Sequence, residues 1–303
     1  MRHISLDLVR VTEAAAITAS AWVGSGNKEL ADRDATDAMR DRLNNMDFAA
    51  VIKIGEGKKD ESYGLFGGER VGARRGDPEY DIAVDPIDGT RPTVTSGPEA
   101  MSVIAVGMVG SMFCTEEHYM HKLAYGPAVA AHDDLNILEP LEITLRKVSQ
   151  ATGKDLKKLI VCILDRDRHE PFISQMRALG VRIKLIQDCD ISGAISACRA
   201  DSGIDLCFGI GGAPEAVITA AAMKCLKGGF QAQIVNKRDL SLQPRVFHIE
   251  DLLKGPCTFA ATGITDGSLL RGVRTTERGP LTHSVVMRSE SNTVRFIEAR
   301  HGN

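Results

Sequence analysis

The sequence predicts an α/β protein of two packed halves, with a largely parallel sheet covered by helices. Three observations predict it. From residue 158 onward, apolar runs of strand length alternate with stretches of helical pattern. Runs such as "KLIVCIL" and "IDLCFGI" are continuously apolar, the mark of strands buried on both faces. Hydrophobic residues make up 43% of the 303 positions, enough for a packed core and too many for disorder.

The elements follow in order. "LVRVTEAAAITASAWVG" (8–24) has helical periodicity and stops at a glycine. "ATDAMRDRLNNM" (35–46) is a second helix, and "AAVIKI" (49–54) a strand leading into "GEG". "YDIAV" (80–84) is a strand leading into "DPIDGT", and "MSVIAVGMVGSMFC" (101–114) reads as strands around a glycine turn. "LEITLRKVSQAT" (141–152) is a helix closing the first half, so the chain divides into 1–153 and 154–303. The second half then reads "KLIVCIL" strand, "HEPFISQMRALG" helix, "VRIKLI" strand, "ISGAISACR" helix, "IDLCFGI" strand, "APEAVITAAAMKCL" helix and "FQAQIV" strand. "CTFAAT", "HSVVMR" and "TVRFIEA" are later strands.

Composition excludes several partners. Lys plus Arg is 37 and Asp plus Glu is 40, with no basic block and no interleaved aromatic run, so nucleic acid is not expected. The charged N-terminus reads as an amphipathic helix, not a secretory signal. The longest apolar stretch, Met101 to Phe113, carries Ser102, Gly107, Gly110 and Ser111 and is too short to span a bilayer. A soluble, cytoplasmic protein is expected. Its 7 cysteines form no C-x-x-C pair, which argues against a zinc cluster or a disulfide framework.

The chemistry collects where apolar runs end. Asp85 and Asp88 follow the strand at 80–84, Glu56 follows the strand at 49–54, and Asp32 follows the loop "GSGNKELAD" just before a helix. Strand carboxyl ends are where α/β folds assemble sites. Converging, these acids would make a hard, oxygen-rich pocket suited to Mg²⁺ or Mn²⁺. Crowded carboxylates become tolerable when they share divalent cations. A lone Asp32 also fits a turn or cap, and D-P-x-D-G alone fits an ordinary turn. Asp81 reads as a strand-start residue.

"DPIDGT" resembles the D-P-x-[DE]-G-T signature of the metal-dependent, lithium-sensitive sugar and inositol phosphatases. "VTEAAA", "IGEG", "YMHKLAYGP", "CILDRDRH", "GIGGAPEAVITAAAMKCL", "ATGITDGSLLRGV" and "THSVVMRSES" narrow the resemblance to bacterial class II fructose-1,6-bisphosphatases, some of which also take sedoheptulose 1,7-bisphosphate. It runs in order from about residue 5 to about 298.

The resemblance implies a layered α-β-α-β-α sandwich of the sugar phosphatase type. The half to residue 153 would carry the metal carboxylates, and the half from 154 the sugar and distal-phosphate contacts. It implies metal ligands at Asp32, Glu56, Asp85, Asp88 and Glu215. Asp60 and Thr90 would orient the attacking water, although a loop cap suits Asp60 equally and an N-cap suits Thr90. Asp88, Gly89, Thr90 and Glu215 would also meet the substrate. Arg166 and Arg168 would take the distal phosphate, where arginine's planar fork suits the anion. A surface salt bridge is the alternative for either. Lys28, Tyr119, Asp188, Asp190 and Gly212 complete the implied substrate contacts, with a half-buried core tyrosine and a helix cap as the plain readings of Tyr119 and Asp190. A homo-oligomer, dimer or tetramer, is implied as well.

The departures fall around the pocket. Lys58 stands where the family has an acid, Cys189 where it has glycine in D-G-D, Asp167 where it has proline, and Asn27 where it has an acid. Only "NKRDLSLQPR" follows "FQAQIV", where the family has a few tens of residues and a helix. With φ > 0 needed at 189, Cys189 would shift that loop. These changes predict a phosphatase whose substrate has moved from fructose 1,6-bisphosphate towards a longer or specialised sugar bisphosphate. The rival readings are an ordinary fructose-1,6-/sedoheptulose-1,7-bisphosphatase, an inositol or other monophosphate phosphatase, and a catalytically inert sugar-phosphate sensor.

Overall fold

The computed structural model describes residues 4–55, 64–115, 119–132, 135–236 and 239–302. The chain divides into two units, 1–114 with 253–303 and 115–252. The first begins with helices α1 (Ser5–Ser20) and α2 (Lys28–Asn44), strands β1 (Ala50–Ile54), β2 (Arg70–Val71) and β3 (Tyr80–Asp88), helix α3 (Thr90–Thr95) and strand β4 (Met101–Met108).

The second unit runs β5 (Tyr119–Tyr125), α4 (Pro127–Ala130), α5 (Leu141–Thr152), β6 (Ile160–Leu164), α6 (Glu170–Ala178), β7 (Arg182–Ile186), α7 (Asp190–Ala197), β8 (Leu206–Gly212), α8 (Ala213–Leu226), β9 (Gly229–Val235), β10 (Leu242–His248) and α9 (Ile249–Leu252). The chain then returns to the first unit with β11 (Cys257–Gly263), β12 (Arg274–Thr276), β13 (Gly279–Arg288) and β14 (Thr293–Arg300).

The expected division at residue 153 differs from this one for a reason of pairing. β11 lies between β4 and β13, hydrogen-bonded to both, so the last strands complete the first sheet. That sheet runs β2-β1-β3-β4-β11-β13-β12, with β14 also on β13. Only β1 and β3 are parallel. Against it α1 buries Leu8, Val11, Ala15 and Ala19, and α2 buries Ala31, Ala35, Met39 and Leu43. The first set recurs at three- and four-residue spacing and the second at four, so each helix presents one apolar stripe. Ile82 and Val84 of β3 and Ile104 and Val106 of β4 join the same core.

The second sheet runs β10-β9-β5-β8-β6-β7 and is mixed, not largely parallel. Only β7, β6 and β8 run parallel. β5 inserts antiparallel between β8 and β9. The connection through α8 therefore passes over β5, which the apolar-run pattern missed because His121 and Lys122 interrupt it. Beyond β9 the described chain resumes and forms β10 from Leu242, on the sheet edge. α5 buries Leu141, Leu145 and Val148 against Val161, Ile163 and Phe208.

His121 lies in this core, stacked on Phe172 at 5.7 Å and edge-on to Phe208 at 4.7 Å. Burial lowers its pKa to about 4 from the ordinary 6.5. Below pH 6.5 the unfolded chain takes the proton first, so stability falls as pH drops towards 4. Between pH 6.5 and 5 the loss from this histidine is about 2 kcal/mol. Urea unfolding across that range is expected to show it, and His121→Leu is expected to remove that share of the acid sensitivity.

Candidate functional site

In the first unit, the site is built where β3 gives way to α3. Asp85 pairs with Val103 and Asp88 with Met101, so β3 carries one extra residue across that interval. A bulge re-aims side chains out of strict alternation. Pro86 lies inside it, where the ladder is already broken and its missing N–H costs nothing. The Ile87 N–H donates to Asp85 Oδ1 at 3.0 Å, and Asp88 is 5% exposed. Gly89 then turns at φ 100°, a conformation that favours glycine, and serves as N-cap of α3 without a side-chain cap.

Asp32 does not precede a helix as the sequence suggested; it sits in the second turn of α2. The helix starts earlier because Asn27 caps it, accepting from the Leu30 N–H at 3.1 Å. This gives Asn27, one of the departures from the family pattern, a structural role. Thr90 is the first residue of α3, not its N-cap, and its hydroxyl donates to Asp32 Oδ1 at 2.8 Å. Burial raises the Asp32 pKa, against the Thr90 hydrogen bond and the charge of exposed Lys28. A carboxylate held there ionised gains from a cation.

Thr90→Val keeps the shape and removes the hydroxyl. Loss of a hydrogen bond that orients a ligand typically costs about 10- to 100-fold in metal affinity or activity. That drop is expected in phosphate release titrated with Mn²⁺.

Glu56 and Asp60, with Lys58 beside them, lie outside the described residues. Among the described residues, no group of three or more His, Cys, Asp or Glu side chains forms a ready-made metal cluster.

In the second unit the sequence-predicted residues gather at the ends of β6, β7 and β8. Arg166 pairs with Asp188. Arg168 donates through Nε and Nη2 to the Ile210 carbonyl at 3.1 and 2.8 Å, and its guanidinium lies 5.3 Å from the centre of the Tyr119 ring. Tyr119 is thus a platform for Arg168. Asp167 is the exposed first residue of a single 3₁₀ turn, a position that accepts aspartate as readily as proline. His169 was not singled out from the sequence. Its Nδ1–H donates to the Leu164 carbonyl at 2.7 Å, and its Nε2 accepts from the Ile210 N–H at 2.7 Å. Those two bonds require the neutral ring, and burial lowers its pKa. Arg168 and His169 thereby tie the end of β6 to β8.

Cys189 itself adopts φ 65°, the left-handed conformation that glycine favours. It is also the N-cap of α7, with no side-chain cap bond. Asp190 is not the cap. It accepts from Lys122 Nζ at 2.7 Å. Lys122 is the second residue that sequence reading missed. A lone lysine inside "YMHKLAY" was its only signal.

Glu215 is the third residue of α8, behind Ala213 and Pro214. Its carboxylate folds back over Gly212, where a Cβ would lie 1.7 Å from Oε2. Oε2 is out of solvent and has no hydrogen-bond partner among the described residues. Burial raises its pKa, while Lys122 lowers it and Asp190 raises it.

The carboxylate-bearing strand end of the first unit, and the arginine- and carboxylate-bearing strand ends of the second, fit a phosphoric monoester hydrolase on a mixed α/β scaffold. The family profile described as "Bacterial fructose-1,6-bisphosphatase, glpX-encoded" matches residues 2–301. Fructose-1,6-bisphosphatase 1 class 2 of Escherichia coli K12 is 38% identical, over 99% of this chain and 95% of the relative. Fructose-1,6-bisphosphatase class 2 of Shigella flexneri matches to the same extent. The chain belongs to the bacterial class 2 fructose-1,6-bisphosphatase family. Among solved structures, an extragenic suppressor from Pyrococcus furiosus aligns at 15% identity over 64% of this chain and 68% of that one, with a TM-score of 0.31, too loose to carry an argument. Among the described residues no helix is long and apolar enough to cross a membrane.

Proposed function

We propose that this chain hydrolyses fructose 1,6-bisphosphate, releasing one phosphate to water. The observation that carries the reading is the 38% identity to class 2 fructose-1,6-bisphosphatases over 99% of the chain. The bulged Asp85–Asp88 turn, with Thr90 tied to Asp32, supports it independently.

Enzymes of this family are generally metal-dependent. The donors fit Mg²⁺ or Mn²⁺: every candidate ligand is a carboxylate, and Glu215 Oε2 is a buried acceptor without a protein donor among the described residues. Asp32, Glu56, Asp85 and Asp88 would hold the ions, with Glu215 as a further carboxylate for ion and substrate. Bound there, the ions neutralise phosphate charge and make water a better nucleophile. Thr90 orients Asp32 through its hydroxyl. Thr90 and Asp60 are the groups proposed to orient the water. Arg166 and Arg168 take the second phosphate, and Asp188, Asp190 and Gly212 the sugar. Lys28 and Tyr119 border the substrate. A homo-oligomer, dimer or tetramer, is proposed from the family resemblance.

Three of the departures behind the reading of a longer or specialised sugar have a local structural account. Cys189 holds the turn a glycine would hold, Asn27 caps α2, and Asp167 suits its helical turn. An ordinary class 2 enzyme is the better account. A panel of fructose 1,6-bisphosphate, sedoheptulose 1,7-bisphosphate, longer sugar bisphosphates and inositol monophosphate tests it, with Mg²⁺ or Mn²⁺. Fructose 1,6-bisphosphate is expected to have the highest kcat/KM or to share it with sedoheptulose 1,7-bisphosphate. A longer sugar winning by about a hundredfold (a gap of about 2.7 kcal/mol) would restore the altered-substrate reading.

A further inference from the structure

Lys122 sits in the middle of β5 and is 6% exposed, between Met120 and Ala124, which point to the same side of the strand and are buried. Its ammonium reaches Asp190 Oδ2 at 2.7 Å, and the two side chains are 8% and 14% exposed. A buried ion pair is poor evidence for stability, because desolvating both charges offsets their attraction and an apolar pair of equal volume often does better. The backbone is nevertheless shaped around this one. A Cβ on Gly211 would lie 2.0 Å from Asp190 Oδ2 and 3.0 Å from Lys122 Nζ. On β8, Lys122 pairs with Gly209, another residue without a side chain.

Asp190 has a second oxygen. Oδ1 makes no hydrogen bond among the described residues, while Oδ2 is held by Lys122. Asp188 and Asp190, on either side of Cys189, are thus held by separate cations, Arg166 and Lys122. Lys122 also carries the positive charge felt by Glu215.

We propose that Lys122 is a positioning residue for substrate binding. It anchors Asp190 through Oδ2, leaves Oδ1 to accept from a sugar hydroxyl, and does not itself touch the substrate. The inference rests on the reading that Asp190 meets the sugar.

The test is a double-mutant cycle on the full chain: wild type, Lys122→Met, Asp190→Asn and the double variant. KM and kcat are measured with divalent metal on whichever sugar bisphosphate the wild type hydrolyses fastest. A wrong sugar then defeats the substrate proposal and leaves the cycle decisive. Asp190→Asn is expected to raise KM about 10- to 100-fold, the usual effect of losing a hydrogen bond to a charged group. Lys122→Met is expected to raise KM in the same direction with kcat within about threefold, and the double variant to match Asp190→Asn alone, because both act through one carboxylate. A purely structural lysine would lower Tm and leave KM untouched. Should Lys122→Met fail to fold, with Asp190 left buried and unpaired, the double variant against Asp190→Asn still decides. Equal KM values support the proposal. A wild-type KM in Lys122→Met, a double variant whose KM is the product of the two single effects, or a wild-type KM in Asp190→Asn would overturn it.

Discussion

Asp88→Asn is expected to lower kcat on fructose 1,6-bisphosphate by about a thousandfold or more, the largest effect of any single change in the first unit. Removing one preorganised electrostatic group from a reacting centre costs about 10²- to 10³-fold, and a lost metal ligand stands at or above the top of that range. Asn keeps the size and loses the charge. The fold is expected to survive, because Asp88 is the last residue of β3, where the bulge ends, and Gly89 is the N-cap of α3. Removing a buried charge from the metal-free protein should leave Tm unchanged or raise it, the usual exchange between stability and function. Thermal unfolding in EDTA, beside steady-state kinetics in Mn²⁺, checks both halves.

Gly212→Ala is expected to cut activity by about a hundredfold while leaving Tm within a few degrees. The backbone at 212, φ −61° and ψ 141°, is ordinary extended backbone that alanine adopts freely. The atoms nearest the new Cβ all belong to the end of Glu215, 1.7 Å away at Oε2 and 2.4 Å at Cδ. A flexible carboxylate swings aside at little cost to folding, but it leaves its place at the start of α8. Misplacing a positioned group by about an ångström is enough for a loss near 10². The control is Glu215→Gln: adding Gly212→Ala to it should cost little more, since both changes act on one side chain.

Much of this was legible in the sequence. The apolar runs gave most strands of the second unit because β6 and β8 are buried on both faces, so no polar residue interrupts "IVCIL" or "LCFGI". "DPIDGT" announced itself because like charges crowd a turn only for a purpose. Other features are not local. Nothing in "YMHKLAY" says that β5 slots between β8 and β9, and nothing in "CTFAAT" says that it pairs with β4, so the division at 153 and the largely parallel sheet were both misread. Asp32 lies inside α2 because Asn27 starts the helix, and one asparagine among the glycines and serine of "GSGNK" looks like another loop residue. Cys189 was expected to disturb a turn that glycine favours, yet it adopts the left-handed conformation itself. Lys122 could not be assigned, since its meaning depends on Asp190, which comes from another element far along the chain.

Release of one phosphate from fructose 1,6-bisphosphate should depend on divalent ions held by these carboxylates. Phosphorus NMR of the full-chain reaction with that substrate measures it most directly, each aliquot being stripped of paramagnetic Mn²⁺ on a chelating resin before its spectrum: with Mn²⁺, after EDTA, and after Mn²⁺ is restored. The expected spectrum gains one equivalent of inorganic phosphate and retains one sugar phosphate, stops changing in EDTA, and resumes on readdition. An unchanged spectrum with Mn²⁺ or Mg²⁺, or hydrolysis that continues in EDTA, would contradict it.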